Sequence, residues 1–307
     1  MPAERPADDM VRIPGGAFLM GSEDFYPDER PVHERDVAAF DLDRHPVTNE
    51  EFAAFVTDTG YVTIAERGLD AAEFPNLSPA ELAPGSMVFT PTPGPVDLSD
   101  WRAWWRWQPG ASWRHPQGPG SGIDERLRHP VVHVAFADAE AYAAWAGKRL
   151  PTEVEHEFAA QGGASGTRYA WGDDPFPGGI PQAHTWIGHF PYDARGDFGG
   201  GTAPVGTYPP NAYGAVDLIG NVWEWTSDYY TPRHLRLSDR PVDAGRRTNL
   251  LATASAEPGF RTPRRVLKGG SQLCAMEYCV RFRPAARSPQ AEDTGMSHIG
   301  FRCARDV

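Results

Sequence analysis

The chain has 307 residues, 40% of them hydrophobic, and a formal net charge of −12. That length and apolar content support a sizeable core; the acidic balance, with no long Lys/Arg run to offset it, argues against nucleic-acid and anionic-membrane partners. No apolar run approaches the ~20 residues of a membrane-spanning helix, the start MPAERPADD lacks the apolar centre of a signal peptide, and three cysteines make no disulfide framework, so the reducing cytoplasm is the expected compartment.

Met1 to Asp9 read as a frayed tail, and residues 10–307 as a single domain. Met10 to Ser22 read as two short strands around a Pro-Gly-Gly turn, and Phe40 to Val47 as a half-buried strand by its alternation. Thr48-Asn-Glu-Glu51 is a capping box, Phe52, Phe55 and Val56 form an apolar face behind it, and Gly60 ends that helix. From Leu69 to Gly122 six prolines between Pro75 and Pro95 forbid a long helix. Trp101, Trp104, Trp105, Trp107 and Trp113 in the same stretch either pin a long loop to the body or line a ligand groove.

Val131 to Phe136 reads as a strand by β-branching, with His129 and His133 structural beside it. Asp138 is placed as the cap of a helix to about Ala146. Thr152-Glu-Val-Glu155 is a second capping box, starting a helix that Gly162 and Gly163 stop, with His156 at its surface or core edge. Tyr230 to Arg265 reads as a long polar surface loop.

The chemistry concentrates in Leu267 to Arg302. Cys274 and Cys279 are five residues apart, which is neither a thioredoxin-type nor a zinc-knuckle spacing. Two isolated thiolates suit a soft, low-coordinate ion, with copper(I) first. A buried disulfide and two core thiols are the alternatives that spacing alone leaves open.

Lys268-Gly-Gly-Ser271, Cys274, Cys279, Arg281-Phe-Arg283, Ala285-Ala-Arg287 and Gly300-Phe-Arg302 closely resemble the C-terminal motif of the formylglycine-generating enzyme family, the sulfatase-modifying factors. Val11-Arg-Ile-Pro-Gly-Gly, His129-Pro-Val-Val-His133, Gly147 to Glu153 and Gly220-Asn-Val-Trp-Glu-Trp225 extend the resemblance along the chain. The related non-heme iron sulfoxide synthases use His-x-x-x-His-x-Glu, which would need glutamate at Ala135.

The resemblance implies an α+β, complex C-type-lectin-like fold, low in regular secondary structure. It implies copper- and dioxygen-dependent oxidation of a sulfatase cysteine to Cα-formylglycine, with Cys274 and Cys279 holding copper(I) and Ser271 beside an oxygen pocket. It implies calcium at Asp217 and Glu224 through side chains and at Gly220 and Val222 through carbonyls, oxygen donors that calcium prefers. Asp197 is the carboxylate left for a second calcium, where His184 replaces the family's asparagine.

His298 stands where the family has a substrate-contacting asparagine, and His298 and Trp105 are the candidate substrate-binding residues. His156 stands where the family has tryptophan. The segment Ser288 to His298 departs from the family's Asn-Thr-Pro-Asp-Ser-Ser-like stretch, so the partner is a cysteine-containing peptide, such as an unfolded sulfatase, or another peptide or small-molecule thiol. A non-catalytic accessory protein on the same fold is the reading from a different class. Arg281, Arg283 and Arg287 are expected to pair with carboxylates, and Cys303 to be a core thiol.

Overall fold

The computed structural model describes residues 9–72, 76–164, 166–235 and 244–307. In chain order the strands are β1 (Met10–Ile13), β2 (Gly16–Met20), β3 (His33–Val37), β4 (Phe40–Asp43), β5 (Gly85–Phe89), β6 (Trp105–Pro109), β7 (Gly188–His189), β8 (Asp193–Ala194), β9 (Trp223–Tyr229), β10 (Arg264–Lys268), β11 (Arg287–Ala291), β12 (Ile299–Gly300) and β13 (Ala304–Asp306). The α-helices are α1 (Asn49–Thr59), α2 (Ile64–Arg67), α3 (Pro79–Leu82), α4 (Phe136–Trp145), α5 (Glu153–Gln161) and α6 (Ala244–Ser255). Short elements and long connections make the mixed α+β architecture that the resemblance implies.

Two sheets frame the site. One has the order β1-β4-β13, and the other β11-β10-β9-β12, with β12 parallel to β9 and the remaining pairings antiparallel. β10 and β11 pair in full register from Arg264↔Ala291 to Lys268↔Arg287. Their connection, residues 269–286, holds both candidate cysteines, and the paired strands close its base.

Helix α5 fixes that base. Thr152 caps it, accepting from Glu155 N–H while the Glu155 carboxylate accepts from Thr152 N–H, and Gly162 ends it at φ +59. Its buried face carries Glu153, His156 and Glu157 beside Phe158 and Ala159. Glu157 holds Lys268 Nζ at 2.7 Å, and Glu153 takes the Arg287 fork at 2.7 and 2.9 Å. Buried charges of this kind persist only when paired.

Several expectations change. β1 and β2 do not pair with each other across the Pro-Gly-Gly turn: β1 pairs β4 and β2 pairs β3. Val131 to Phe136 is not a strand, since His133 adopts φ +61 and Phe136 already begins α4. Asp138 is the N3 residue of α4 and not its cap; its carboxylate accepts from Ala135 N–H. His156 is not at the surface but fully buried against Glu224. The expected loop Tyr230 to Arg265 contains α6, while residues 236–243 of that stretch lie outside the described residues. Of the expected tail, Asp9 is described and tied to Arg44 by an ion pair of 2.8 Å.

Candidate active site

A single turn explains the five-residue cysteine spacing. Cys279 N–H donates to Ala275 O at 2.8 Å, an i to i−4 bond that carries the chain once round and returns the second thiol to the first. The sulfurs of Cys274 and Cys279 lie 3.3 Å apart. Both thiols are free; Cys274 is buried and Cys279 half-buried. Gly270, at φ +76, lets the loop fold this tightly: a Cβ there would lie 2.7 Å from Arg281 O.

The two thiols titrate in opposite directions. Burial, the Cys279 contact and its charge raise Cys274 well above the usual thiol range. The hydrogen bond from Cys274 lowers Cys279 against burial, and Arg281 lowers it further. Of the two, Cys279 is the thiol more inclined to ionise, with Cys274 within hydrogen-bond distance of it. Ser271 N–H also points at Cys274 Sγ, at 3.4 Å, and Ser271 Oγ accepts from Leu273 N–H at 3.3 Å, leaving its own hydroxyl proton free to donate.

Both cysteines line a cavity of about 160 Å³, shared with Ser271, Trp105, Trp223, Tyr278, Arg281 and His298. His298 packs against Trp105 with ring centroids 4.7 Å apart and the planes tilted by 37°. Burial pushes His298 down to about 3, so its imidazole is neutral, and its Nδ1 has no hydrogen-bond partner among the described residues. Tyr278 lies parallel to Phe190 at 4.5 Å and edge-on to Trp104 at 5.2 Å. Trp113 is buried and pins the long loop, while the buried Trp104 and the half-buried Trp105 both line the cavity.

Sequence reading missed Tyr26, Tyr278 and Trp223. Tyr278 adjoins Cys279 and Trp223 lies in the recognised Gly220 to Trp225 segment, so a signal existed for both. Tyr26 accepts from Val280 N–H at 3.2 Å across 254 positions of chain, which no local pattern reports. Arg283 and Arg287 pair with Glu29 and Glu153 as expected, and Cys303 is a buried thiol. Among the described residues Arg281 does not pair with a carboxylate; it lies over the Tyr26 ring at 4.1 Å and acts on Cys279. His129 and His133 are structural, His133 bonding Ser86 and Pro116 O.

Copper(I) fits the cysteine pair: two facing sulfurs, one already inclined to the thiolate form, beside a cavity that admits a third ligand. The calcium set fits in part. Burial raises the Asp217 carboxyl to about 6, and only its Oδ2 is engaged, by Gly206 N–H at 2.7 Å. Glu224 does not fit as a ligand. Its two oxygens accept from the Arg302 fork at 2.7 and 2.8 Å and from His156 at 3.2 Å. At the second calcium position His184 Nε2 bonds Gly201 O, which leaves Asp197 as the exposed carboxylate. No group of three or more His, Cys, Asp or Glu side chains among the described residues is arranged around a metal.

The Sulfatase-modifying factor enzyme 1-like domain matches residues 1–307. The formylglycine-generating enzyme of Mycobacterium tuberculosis is 57% identical over 97% of this chain and 98% of its own length. That of Thermomonospora curvata is 44% identical over 98% of this chain and 94% of its own. Among solved structures, PvdO from Pseudomonas aeruginosa superposes with a TM-score of 0.60 at 26% identity, covering 97% of this chain and 94% of that one.

Proposed function

The chain belongs to the sulfatase-modifying factor enzyme family, and from that premise we propose that it oxidises a cysteine of a sulfatase-type polypeptide to Cα-formylglycine at Cys274 and Cys279. The observation that carries this reading is the 3.3 Å approach of two free thiols on the wall of an aromatic cavity. In the net change the substrate CH2–SH loses two electrons and two protons to dioxygen, which becomes hydrogen peroxide, or water where external thiols supply two more electrons. Water then displaces the thioaldehyde sulfur as hydrogen sulfide to leave the aldehyde.

The residues divide the work. Cys279, held low by Cys274 and Arg281, is the first sulfur available to a soft ion, and Cys274 gives up its proton as the second. Copper(I), when bound to both, would supply the one-electron chemistry by which dioxygen oxidises an incoming thiol. Ser271 offers a hydroxyl proton to a reduced oxygen species. Trp105 and His298 present a flat face and an unpartnered nitrogen to the substrate peptide, and Trp104, Phe190 and Tyr278 exclude water. Calcium, the second ion in this reading, is assigned to Asp217 with the Gly220 and Val222 carbonyls.

Among the described residues no helix is long and apolar enough to cross a membrane. We place the reaction in the cytoplasm, where reducing conditions keep both thiols free.

The test is a peptide carrying Cys-x-Pro-x-Arg, incubated in air with copper-loaded protein and trapped with an aminooxy reagent. An adduct formed with this peptide, and not with its serine counterpart, is the expected result. A peptide that stays a thiol or only forms disulfides, while a small thiol is oxidised, would transfer the activity to another substrate. No oxidation of either would leave the accessory-protein reading.

A further inference from the structure

We propose that His33 and His234 form a binding site for one divalent transition-metal ion of the zinc class, separate from the cysteine pair. His33 opens β3, and His234 follows β9 after the Tyr230 corner; their rings lie 5.1 Å apart, centroid to centroid. His33 Nδ1 sits 2.9 Å from Pro31 O. A carbonyl only accepts, so Nδ1 is the donor in this contact and Nε2 is the ring nitrogen left to coordinate. A second-ring N–H held by a backbone carbonyl is the usual support of a metal-bound histidine.

The Nε2 atoms of both rings are shielded from solvent and have no hydrogen-bond partner among the described residues. Two buried polar nitrogens left unpaired on neighbouring rings are costly, and an unseen ion is one of the few ways to satisfy both. Two imidazole nitrogens each about 2.0 Å from one tetrahedral ion place their ring centres roughly 5 Å apart, which matches the observed separation. Imidazole selects zinc, cobalt or nickel over calcium or magnesium, and water would complete the coordination.

The surrounding charge permits a cation. Glu153, Arg287, Lys268 and His33 act on His234. Arg287 and Lys268 are already matched by Glu153 and Glu157, and the Asp228 carboxylate lies beside Glu153 with no cation within ion-pair distance among the described residues. Gly21, whose missing Cβ would lie 3.2 Å from His234 Cδ2, lines a cavity of about 260 Å³ that also reaches Val32, the neighbour of His33. An ion here would join strand β3 to the chain leaving β9, 201 positions apart (234 − 33), and stabilise the folded state by binding it alone.

The experiment uses the full chain with Cys274→Ser and Cys279→Ser, so that the thiol site is silent. Zn²⁺ is titrated against a chromophoric chelator, and the melt is recorded with and without Zn²⁺. One equivalent should bind and raise the melting temperature, and His33→Gln and His234→Ala should each weaken binding about tenfold or more, whereas His115→Ala should not. Should His234→Ala fail to fold, the half-buried His33→Gln decides alone. No stoichiometric zinc, or zinc that binds His33→Gln unchanged, overturns the proposal. Because the cysteines are absent, the outcome is independent of the oxidase reading.

Discussion

Lys268 and Arg287 face each other across the last pair of the β10–β11 ladder, and each is neutralised by a carboxylate one turn apart on α5. The cysteine loop leaves the sheet at Lys268 and rejoins it at Arg287, so the geometry of the thiols rests on these two ion pairs. Both cations are buried, as are Glu153 and Glu157.

Removing one partner strands a buried charge. Glu153→Gln should destabilise by about 3–5 kcal/mol, and Glu153→Gln with Arg287→Met should recover much of that loss. Burial works to raise Glu153, but Arg287 and its neighbours hold it near 2, down from 4.5. Its share of the stability is therefore present above about pH 4.5 and lost as pH falls toward 2. Denaturant melts across that window check both statements, with the single variant showing the flatter acid limb.

Arg281 supports the Cys279 thiolate. Arg281→Ala should raise the apparent thiolate pKa by roughly one unit, read from thiolate absorbance against pH in the metal-free protein. Copper(I) affinity should fall as pH is lowered, because both sulfurs must lose protons to bind, and the fall should begin at higher pH in the variant.

Much of this was legible in the sequence because it was local. The capping boxes at Thr48 and Thr152, the glycine stops at Gly60 and Gly162, and the paired cysteines all announce themselves within a few residues. What stayed hidden depends on partners far along the chain. Val131 to Val134 has strand composition, but His133 is drawn into a left-handed turn to reach Ser86 and Pro116. His156 reads as a surface residue until Glu224, 68 positions away, appears beside it. Helix α6 went unread in a stretch judged by its arginines and polar residues.

His298 and Trp105 should act on substrate binding more than on turnover. Trp105→Ala removes the ring that packs against His298, and aromatic contacts of this kind contribute about 0.5–1.5 kcal/mol. KM for the peptide should rise up to about tenfold, with kcat within about twofold. His298→Asn should keep most of the activity, and His298→Ala should behave like Trp105→Ala. Steady-state kinetics on one peptide separate these outcomes; an equal loss of kcat would place the pair among the reacting groups.

Asp217 carries a testable charge. Burial raises it from 3.8 to about 6, so the folded protein binds its proton more tightly than the unfolded chain. In EGTA the wild type should therefore lose about 2–3 kcal/mol relative to Asp217→Asn as pH rises from about 4 through about 6. Calcium held by the Asp217 carboxylate should restore that loss at neutral pH in the wild type alone. A pH slope indifferent to calcium would remove the ion from this segment.

Anaerobic titration with copper(I) tests the cysteine pair most directly, using wild type, Cys274→Ser and Cys279→Ser with a competing chromophoric chelator. One equivalent bound to the wild type, and none retained by either serine variant, is the expected result. Copper that binds equally well to a single-cysteine variant, or fails to bind the wild type, would contradict the joint role of the two sulfurs.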